Sequence, residues 1–428
     1  MASSKLRITI LGLNYLPEPT GIAPYTTRLA ELLAADGHDV SVLTGYPHYP
    51  EWKLADGFGG WSRRETINGV QVHRLRHFIP RRVSNLQRMH LELSFGFRLL
   101  FAKWDSPDAV LIVSPALFAA AIAIVRARFG WRKPPTGIWV QDIYSRGLEE
   151  TGGAGALSGK LMKIVEAFVL RSATKVTVIH DRFGDYLESA LGVPRGAIST
   201  IRNWTHLPQI VSIDRNVSRR RFGWADDEVI VLHAGNIGVK QGLGNVVEAA
   251  RLADLRESSV RFVLLGDGNQ KATVMQQAEG IKHIQFIDPL PDAWFQEALQ
   301  SADILLVNEL SGLREMAVPS KLTSYFASGL PVIAATEPDS TTAGEITASG
   351  AGIRVDPSAP EDLLRAAERL SDDPPQCASL GAAGRDYAKN KLSEHAAIVE
   401  YSAWLTKLAA AKRATTARTG RQSHSHNV

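Results

Sequence analysis

The sequence predicts an α/β protein built from two doubly wound, Rossmann-like domains that face each other across a cleft. Three observations lead to this fold class. Short apolar runs of strand length alternate with segments of helical spacing along most of the 428 residues, which is typical of parallel sheets covered by helices on both faces. The alternation runs in two series with a break near residues 203–208. A chain of this length also exceeds the roughly 250–300 residues at which a single core stops growing.

The first series predicts a domain over residues 1–205. It opens with a β-branched run at 6–13, a helix at 25–37 and a strand at 39–44, which together predict a βαβ unit. The pattern continues with strands at 70–75, 109–113, 136–140 and 175–179 and helices at 85–104, 116–129, 157–171 and 181–190. The longest apolar run, at 109–125, is shorter than the roughly 18–20 residues of a membrane-spanning helix. We therefore expect a buried strand and helix there.

The second series predicts a domain over residues 206–392. Its strands are expected at 229–233, 260–265, 284–287, 304–307 and 331–335, and its helices at 244–252, 270–279, 294–301, 320–327, 342–348 and from 361 onward. A helix at 393–411 is expected to cross back onto the first domain, and residues 412–428 read as a disordered basic tail. Ligands of doubly wound sheets bind beyond the carboxyl ends of the strands, so we expect the site in the cleft.

Composition limits the classes of function. Apolar residues make up 45% and charged residues 21% of the chain, which is ordinary for a folded domain. The single cysteine, Cys377, excludes an internal disulfide and a cysteine-rich metal site. The N-terminus lacks a signal-peptide pattern, so we expect a cytoplasmic protein. A net charge of +4 suits anionic ligands, nucleic acid or an anionic membrane.

The loop at 13–23 joins the first strand to the first helix. Gly21 permits close backbone approach, and the amides of Gly21 and Ile22 at the helix start are placed to bind a phosphate, with a simple turn as the alternative. The loop lacks the second glycine and the acidic partner of a dinucleotide fingerprint. This weakens a dehydrogenase interpretation.

Glycine-rich turns follow two strands of the second domain. The turn at 235–242 carries Asn236 and Lys240, and a lysine in such a loop can neutralise a diphosphate; a solvated surface lysine is the alternative. The turn with Gly266 and Gly268 is a weak signal by itself, because most such triplets are simple turns.

The segment at 318–335, VPSKLTSYFASGLPVIAA, carries the strongest local signal. Ser320 is a natural N-cap, and Lys321 lies in the first turn of the predicted helix. A cation in that turn opposes the helix dipole unless an anion is present. The position of Lys321 therefore indicates an anionic ligand.

Together these segments resemble the retaining GT-B glycosyltransferases of the sucrose-synthase and mannosyltransferase-like family, family 4. Within it the chain is most similar to bacterial exopolysaccharide enzymes of the colanic-acid type. The resemblance spans about residues 5–400 and is carried by residues 14–52, VQDIY at 140–144, HAGNIGVKQGL at 233–243, LLGDG at 264–268 and VPSKLTSYFASGLPVIA at 318–334. It implies a hexosyltransferase that moves a sugar from a nucleotide-sugar donor to a glycan or lipid-linked acceptor. The acceptor is expected on the first domain and the donor on the second, with no metal or other cofactor.

The resemblance also assigns site residues. Lys240 and Lys321, with the amides of Gly21 and Ile22, are expected to stabilise the negative charge that grows on the leaving diphosphate. Asp142 is expected to be catalytic, with an N-cap role as the alternative. The expected donor-binding residues are Gly21, Ile22, Asn236, Gly266, Gly268, Pro289, Leu290, Ser320, Leu322 and Ser324, and the expected acceptor-side residues are Tyr46, His48 and Tyr49. In the retaining front-face mechanism of the family, the leaving phosphate takes the proton of the acceptor.

Two positions depart from the family pattern. The Glu-x7-Glu motif falls on Met316 and Ser324, so both carboxylates are absent and donor recognition is expected to differ. Many relatives carry a histidine where Gln141 and Asp142 stand here. An acidic or amide group at that position is expected to orient the transferred sugar or stabilise positive charge at the anomeric carbon.

The segment at 81–104 is basic and amphipathic. Leu86, Met89, Leu93, Phe97, Leu100, Phe101 and Trp104 lie near one face of the predicted helix, and Glu92 is its lone acidic residue. The pattern fits either an ordinary core-facing helix with a solvated basic side or a helix that contacts the inner membrane surface, as a lipid-diphosphate acceptor requires. We expect no nucleic-acid partner.

Two other functions remain open at this point. A GT-B-fold sugar-nucleotide epimerase would need acid and base residues that the motifs lack. A catalytically inactive GT-B scaffold is favoured by the missing glutamates and opposed by Lys240 and Lys321.

Overall fold

The computed structural model describes residues 5–19, 21–81, 84–130, 132–145, 156–204, 213–312 and 321–424, without the side chains of 156–158 and 412–424. The chain divides into two compact units. One comprises Met1–Asn203 with Ala397–Val428, and the other comprises Trp204–Ala396.

The first unit is organised around one sheet. Its strands are β1 (Arg7–Leu11), β2 (Asp39–Gly45), β3 (Ser62–Ile67), β4 (Val70–Leu75), β5 (Ala109–Val113), β6 (Thr136–Val140), β7 (Lys175–Val178) and β8 (Ile198–Thr200). The helices are α1 (Ala23–Ala35), α2 (Asn85–Phe101), α3 (Leu117–Phe129), α4 (Ala156–Ser172) and α5 (Asp181–Leu191). The strand order is β3-β4-β2-β1-β5-β6-β7-β8, and every pair is parallel except β3 with β4. The central strands β5 and β6 are buried along their whole length, which explains their continuous apolar sequences.

The second unit repeats this plan. Its strands are β9 (Val229–Ala234), β10 (Val260–Leu265), β11 (Ile284–Ile287), β12 (Ile304–Asn308), β13 (Val332–Ala335) and β14 (Gly352–Val355). The helices are α6 (Arg215–Phe222), α7 (Gly244–Leu255), α8 (Lys271–Gln277), α9 (Asp292–Ser301), α10 (Lys321–Ser328), α11 (Thr341–Ser349), α12 (Pro360–Ser371) and α13 (Pro374–Lys391). All strands are parallel in the order β11-β10-β9-β12-β13-β14. The predicted fold class of two Rossmann-like domains with parallel sheets is confirmed.

The last helix, α14 (Glu394–His424), returns to the first unit from Ala397 onward. A side chain at Gly137 of β6 would lie 2.2 Å from the Trp404 ring, so glycine is what allows the indole to pack on the strand. Ser402 donates a 2.9 Å hydrogen bond to Asp36. The helix continues past residue 411, where the sequence predicts a disordered tail.

The sequence does not predict β3, β8, β14 or α6. The three strands lie at sheet edges and are partly exposed, so they lack a clear apolar pattern. Helix α6 packs through Arg219, which is 2% exposed and bonds Asp303 at 2.9 Å. Because serine and arginine occupy the buried positions of α6, its sequence shows no apolar periodicity.

Strand order positions the functional sites. In the first sheet β1 lies between β2 and β5, and in the second β9 lies between β10 and β12. At each of these points successive connections depart in opposite directions, which opens a crevice at the carboxyl ends of the strands. Among the described helices, none combines the length and apolarity needed to cross a bilayer.

Candidate functional site

A pocket of about 460 Å³ lies in the first unit at the switch point between β1 and β5. The loops that follow β1, β2, β5 and β6 form its walls together with α2. Five of the predicted residues line it, namely Gly21, Ile22, His48, Tyr49 and Asp142. The structure therefore brings two of the three expected acceptor-side residues, His48 and Tyr49, and the strand-end aspartate to one cavity.

Glu18 fixes the loop that carries His48 and Tyr49. Its carboxylate is 5% exposed and accepts hydrogen bonds from the amides of His48 at 2.8 Å and Tyr49 at 3.0 Å, and from the side chain of Asn14 at 2.8 Å. The Nδ1 of His48 lies 3.0 Å from the Tyr46 carbonyl and 3.3 Å from Glu18. Because both neighbours are acceptors, Nδ1 carries a proton and donates to them.

Two further buried carboxylates support the pocket walls. Glu92 of α2 lines the pocket, is 6% exposed and accepts a hydrogen bond from the amide of Phe118. Glu166 of α4 is 4% exposed and accepts the amides of Tyr144 at 2.7 Å and Ser145 at 3.1 Å. Burial raises the pKa of both carboxyls. Glu166 thus holds the backbone just after Asp142.

Asp142 itself is exposed at the pocket wall. Its carboxylate accepts a 2.9 Å hydrogen bond from the amide of Ile143, the next residue. The neighbouring Gln141 exchanges two side-chain hydrogen bonds with Asn203, at 2.9 and 2.8 Å. This reciprocal pair fixes the end of β6 and leaves the Asp142 carboxylate at the surface of the cavity.

Aromatic and basic groups complete the pocket. The rings of Tyr49 and Trp52 meet edge to face with centroids 5.6 Å apart, and the Arg88 guanidinium lies 5.5 Å from the Trp52 centroid. Tyr46, predicted for the acceptor side, is not a lining residue. Its hydroxyl donates to the Gly59 carbonyl at 2.6 Å and its side chain is buried.

The second unit gathers its glycine-rich loops at the switch point beside β9. Gly235 has φ +129°, and its carbonyl oxygen would lie 1.9 Å from a Cβ at Gly266. The two loops also share a 2.8 Å hydrogen bond from the Ile237 amide to the Asp267 carbonyl. The close packing of one loop on the other therefore requires glycine at position 266. It also requires glycine at position 268, where a Cβ would lie 2.3 Å from the Ile237 carbonyl.

Lys321 lies at the centre of this site. Its Nζ is 3.2 Å from the Nε2 of His233, and a Cβ at Gly235 would lie 3.7 Å from the same nitrogen. Burial lowers the pKa of Lys321 to about 8, while the charge of Glu309 raises it. At neutral pH the ammonium is therefore charged. It lies next to the backbone of Gly235, which carries no side chain.

Tyr325, one helical turn after Lys321, anchors α10 to the sheet. Its hydroxyl accepts the Ala234 amide at 2.8 Å, at the carboxyl end of β9, and the ring is fully buried. Residues four apart share a helix face, so this bond also directs Lys321 toward the end of β9. Leu322, predicted to bind donor, is 1% exposed and belongs to the hydrophobic core.

Lys240 lies on a short 3-10 helix, Val239–Gln241, and is exposed. Its carbonyl accepts the Leu310 amide at 2.8 Å, and Asn308 donates to the Gln241 carbonyl at 2.8 Å. The loop after β9 is thus fastened to the end of β12, next to Glu309. The Glu309 carboxylate in turn accepts the hydroxyls of Thr336 and Thr342.

The remaining predicted residues are distributed around the same edge. The Asn236 side chain donates to Gln241 at 3.2 Å, Ser324 is half-buried on α10, and Pro289 and Leu290 follow β11. Ser320 and Met316 lie outside the described residues.

Within the described part of the chain, no group of three or more His, Cys, Asp or Glu side chains is placed to hold a metal ion.

Sequence reasoning missed Glu18, Glu92, Glu166, His233 and Glu309. Only Glu92 carried a usable signal, since it is the lone acid of a basic helix and shares the spacing of the buried residues Leu91, Phe95 and Leu99. The partners of the other four lie up to 88 residues away along the chain.

Two family descriptions match the chain. "Glycosyl transferase 4-like domain" matches residues 20–204, and "Glycosyl transferases group 1" matches residues 214–387. The chain is 30% identical over 378 residues to the "Putative colanic acid biosynthesis glycosyl transferase WcaI" of Escherichia coli K12. The matched region covers 84% of this chain and 90% of that protein.

Solved structures show the same fold at low identity. The sucrose-phosphate synthase of Thermosynechococcus elongatus matches with a TM-score of 0.67 at 18% identity, over 95% of this chain and 100% of that one. The Anabaena protein HepE, solved in complex with UDP, matches with a TM-score of 0.66 at 13% identity, over 94% of this chain and 100% of that one.

Proposed function

Since the chain belongs to the GT-B glycosyltransferases that carry the group 1 domain, we propose that it is a retaining, metal-independent hexosyltransferase. It transfers a sugar from a nucleotide-sugar donor to a glycan or lipid-diphosphate-linked acceptor. The process is exopolysaccharide or other cell-envelope polysaccharide biosynthesis, in keeping with the name of the Escherichia coli relative. The HepE complex with UDP supports a nucleotide-sugar donor.

The observation that carries this proposal is the ammonium of Lys321 beside Gly235, at the switch point of the second unit. A diphosphate that reaches this point meets a positive charge and a loop with no side chain at Gly235. As the anomeric bond breaks, negative charge grows on the leaving diphosphate. Lys321 and Lys240 then stabilise the transition state more than the ground state, by about 2–4 kcal/mol for each such contact.

The acceptor binds in the pocket of the first unit. Trp52 and Tyr49 offer aromatic surface for a sugar ring, and the Asp142 carboxylate supports positive charge at the anomeric carbon. The leaving phosphate takes the proton of the attacking hydroxyl, so the proposal needs no separate base. The family assignment of the Gly21 and Ile22 amides to the donor stays a prediction.

Helix α2 supports a lipid-linked acceptor. Its buried face is formed by Leu91, Glu92, Phe95 and Leu99, so most of the apolar stripe predicted from sequence faces outward. Leu86, Phe97 and Phe101 are 74%, 61% and 78% exposed. Exposed apolar side chains with Arg88 and Lys103 suit an anionic bilayer surface at the inner face of the plasma membrane. Trp104 is buried and takes no part in this surface.

A thermal-shift screen of the whole chain against UDP, GDP, ADP and their sugars tests the proposal. A ligand that binds only the folded state raises Tm by mass action, so we expect one nucleotide series to stabilise the protein. Mass spectrometry of the stabilising nucleotide sugar, alone and with lipid-linked acceptors, separates transfer from epimerisation. Transfer in excess EDTA is expected to equal transfer without it. If no nucleotide raises Tm, the proposal fails.

A further inference from the structure

His233 lies at the carboxyl end of β9 with 0% of its surface exposed, and its Nε2 is 3.2 Å from the Nζ of Lys321. An ammonium has three donors and no acceptor, so Nε2 is the acceptor in this contact. Burial and the charge of Lys321 both lower the pKa of His233 well below its usual value. The imidazole is therefore neutral.

We infer that His233 is a positioning residue that holds the Lys321 ammonium beside Gly235 while leaving its full charge for an anionic ligand. The inference rests on the proposed function, in which Lys321 meets the donor diphosphate. A carboxylate in the place of His233 would hold the ammonium equally well. It would also cancel the positive charge and repel the phosphate, whereas a neutral imidazole does neither.

The surroundings of Lys321 agree with this role. Among the described residues, the titratable groups that act on Lys321 are His233 on β9 and Glu309 after β12. The Glu309 carboxylate accepts the hydroxyls of Thr336 and Thr342, which tie it to the end of β13 and the start of α11. His233 is thus the side chain in direct contact with the ammonium, and Gly235 leaves the space beside it open.

Three substitutions of His233 separate its possible contributions. His233→Phe keeps a ring but removes the acceptor, His233→Gln keeps a neutral acceptor, and His233→Asp offers a charged one. Calorimetric titration with UDP, GDP and ADP at pH 7 measures the effect. We expect about a tenfold or larger loss of nucleoside diphosphate affinity in His233→Phe and His233→Asp, and a loss within about threefold in His233→Gln. Equal affinity of the Gln and Asp variants would overturn the inference, even if His233→Phe does not fold.

A second measurement needs no ligand. The rate of acetylation of Lys321, followed by mass spectrometry across pH, reports the pKa of its ammonium. We expect a midpoint near 8 in the original chain, a lower midpoint in His233→Phe because the ammonium loses its acceptor, and recovery in His233→Gln. An unchanged midpoint in His233→Phe would overturn the inference. If the original chain binds no nucleotide while the midpoint shifts as expected, the proposed function fails and the positioning role stands.

Discussion

The buried carboxylate of Glu92 accepts a 2.9 Å hydrogen bond from the backbone amide of Phe118. The bond joins α2 to the first turn of α3 at the wall of the pocket in the first unit. Burial raises the pKa of Glu92 from 4.5 to about 7, against the opposing effects of the Phe118 amide and the charge of Arg88. The folded state therefore binds this proton more tightly than the unfolded state.

This relation predicts a pH-dependent gain in stability for Glu92→Gln. A raised folded pKa makes the carboxyl increasingly destabilising as pH rises from about 4.5 to about 7, and the full cost persists above that range. Glutamine still offers an acceptor to Phe118 and carries no charge. We expect a gain of about 1–3 kcal/mol at pH 8.5 and little change at pH 5, measured by urea unfolding. Glu279→Gln, at an exposed position, is the matched control. A loss of similar size at both pH values would contradict the prediction.

Glu18→Ala is expected to destabilise the first unit by about 2–4 kcal/mol. The substitution removes the acceptor of two backbone amides, those of His48 and Tyr49, in a place that water does not reach. Glu18→Gln retains one acceptor oxygen and should cost less. The free energy of unfolding from urea titration measures both variants. Glu51→Ala, at an exposed position in the loop that carries His48 and Tyr49, serves as the control and should change stability by less than about 0.5 kcal/mol.

Gly266→Ala is expected to cost about 3 kcal/mol or more, or to prevent folding of the second unit. The new Cβ would lie 1.9 Å from the Gly235 carbonyl oxygen at a residue whose φ is +142°. Neither backbone can move without separating the loops after β9 and β10. Gly244→Ala is the comparison, because its nearest neighbour would lie at 3.8 Å and it begins α7. Similar melting temperatures for the two variants would argue against this packing.

The sequence predicts most of the fold because the central strands are continuous apolar runs, as β5 and β6 illustrate. It also singles out Lys321 as a predicted ligand-binding residue, because an unfavourable charge in the first turn of a helix is a local feature. It does not predict the partner of that lysine. His233 and Lys321 are 88 residues apart and meet only because β9 and α10 converge on one edge of the sheet.

Buried carboxylates are the second feature of the candidate site that the sequence does not predict. Glu18 and Glu166 read as ordinary loop and helix acids, and their burial depends on which backbone amides the tertiary fold turns toward them. The apolar stripe of α2 shows the opposite error, because side chains with an apolar pattern are exposed there. A periodic pattern establishes that a helix is amphipathic, but only packing against α3 decides which face is inside.

Phe97→Ser combined with Phe101→Ser is expected to weaken binding to phosphatidylglycerol vesicles by about tenfold or more. The two side chains are 61% and 78% exposed, and each loses the favourable transfer of an aromatic ring into the interface. Co-sedimentation with vesicles of increasing phosphatidylglycerol content measures the effect. Leu255→Ser, which removes a 75% exposed apolar side chain from the second unit, is the control. If the control loses binding equally, or if the original chain does not sediment, the membrane surface on α2 is wrong.

Lys321→Ala is expected to lower the rate of sugar transfer by about 100-fold or more, and Lys240→Ala to lower it as well, with unchanged unfolding temperatures. Loss of a group that stabilises charge in the transition state typically costs about 2–4 kcal/mol. The effect should be larger for Lys321, because its ammonium is half-buried beside His233 whereas Lys240 is exposed. Lys282→Ala removes an exposed lysine of the same unit and should transfer sugar at the original rate. A rate for Lys321→Ala equal to that of Lys282→Ala would show that the leaving diphosphate does not lie against Lys321, and the donor site would then have to be sought elsewhere on the second unit.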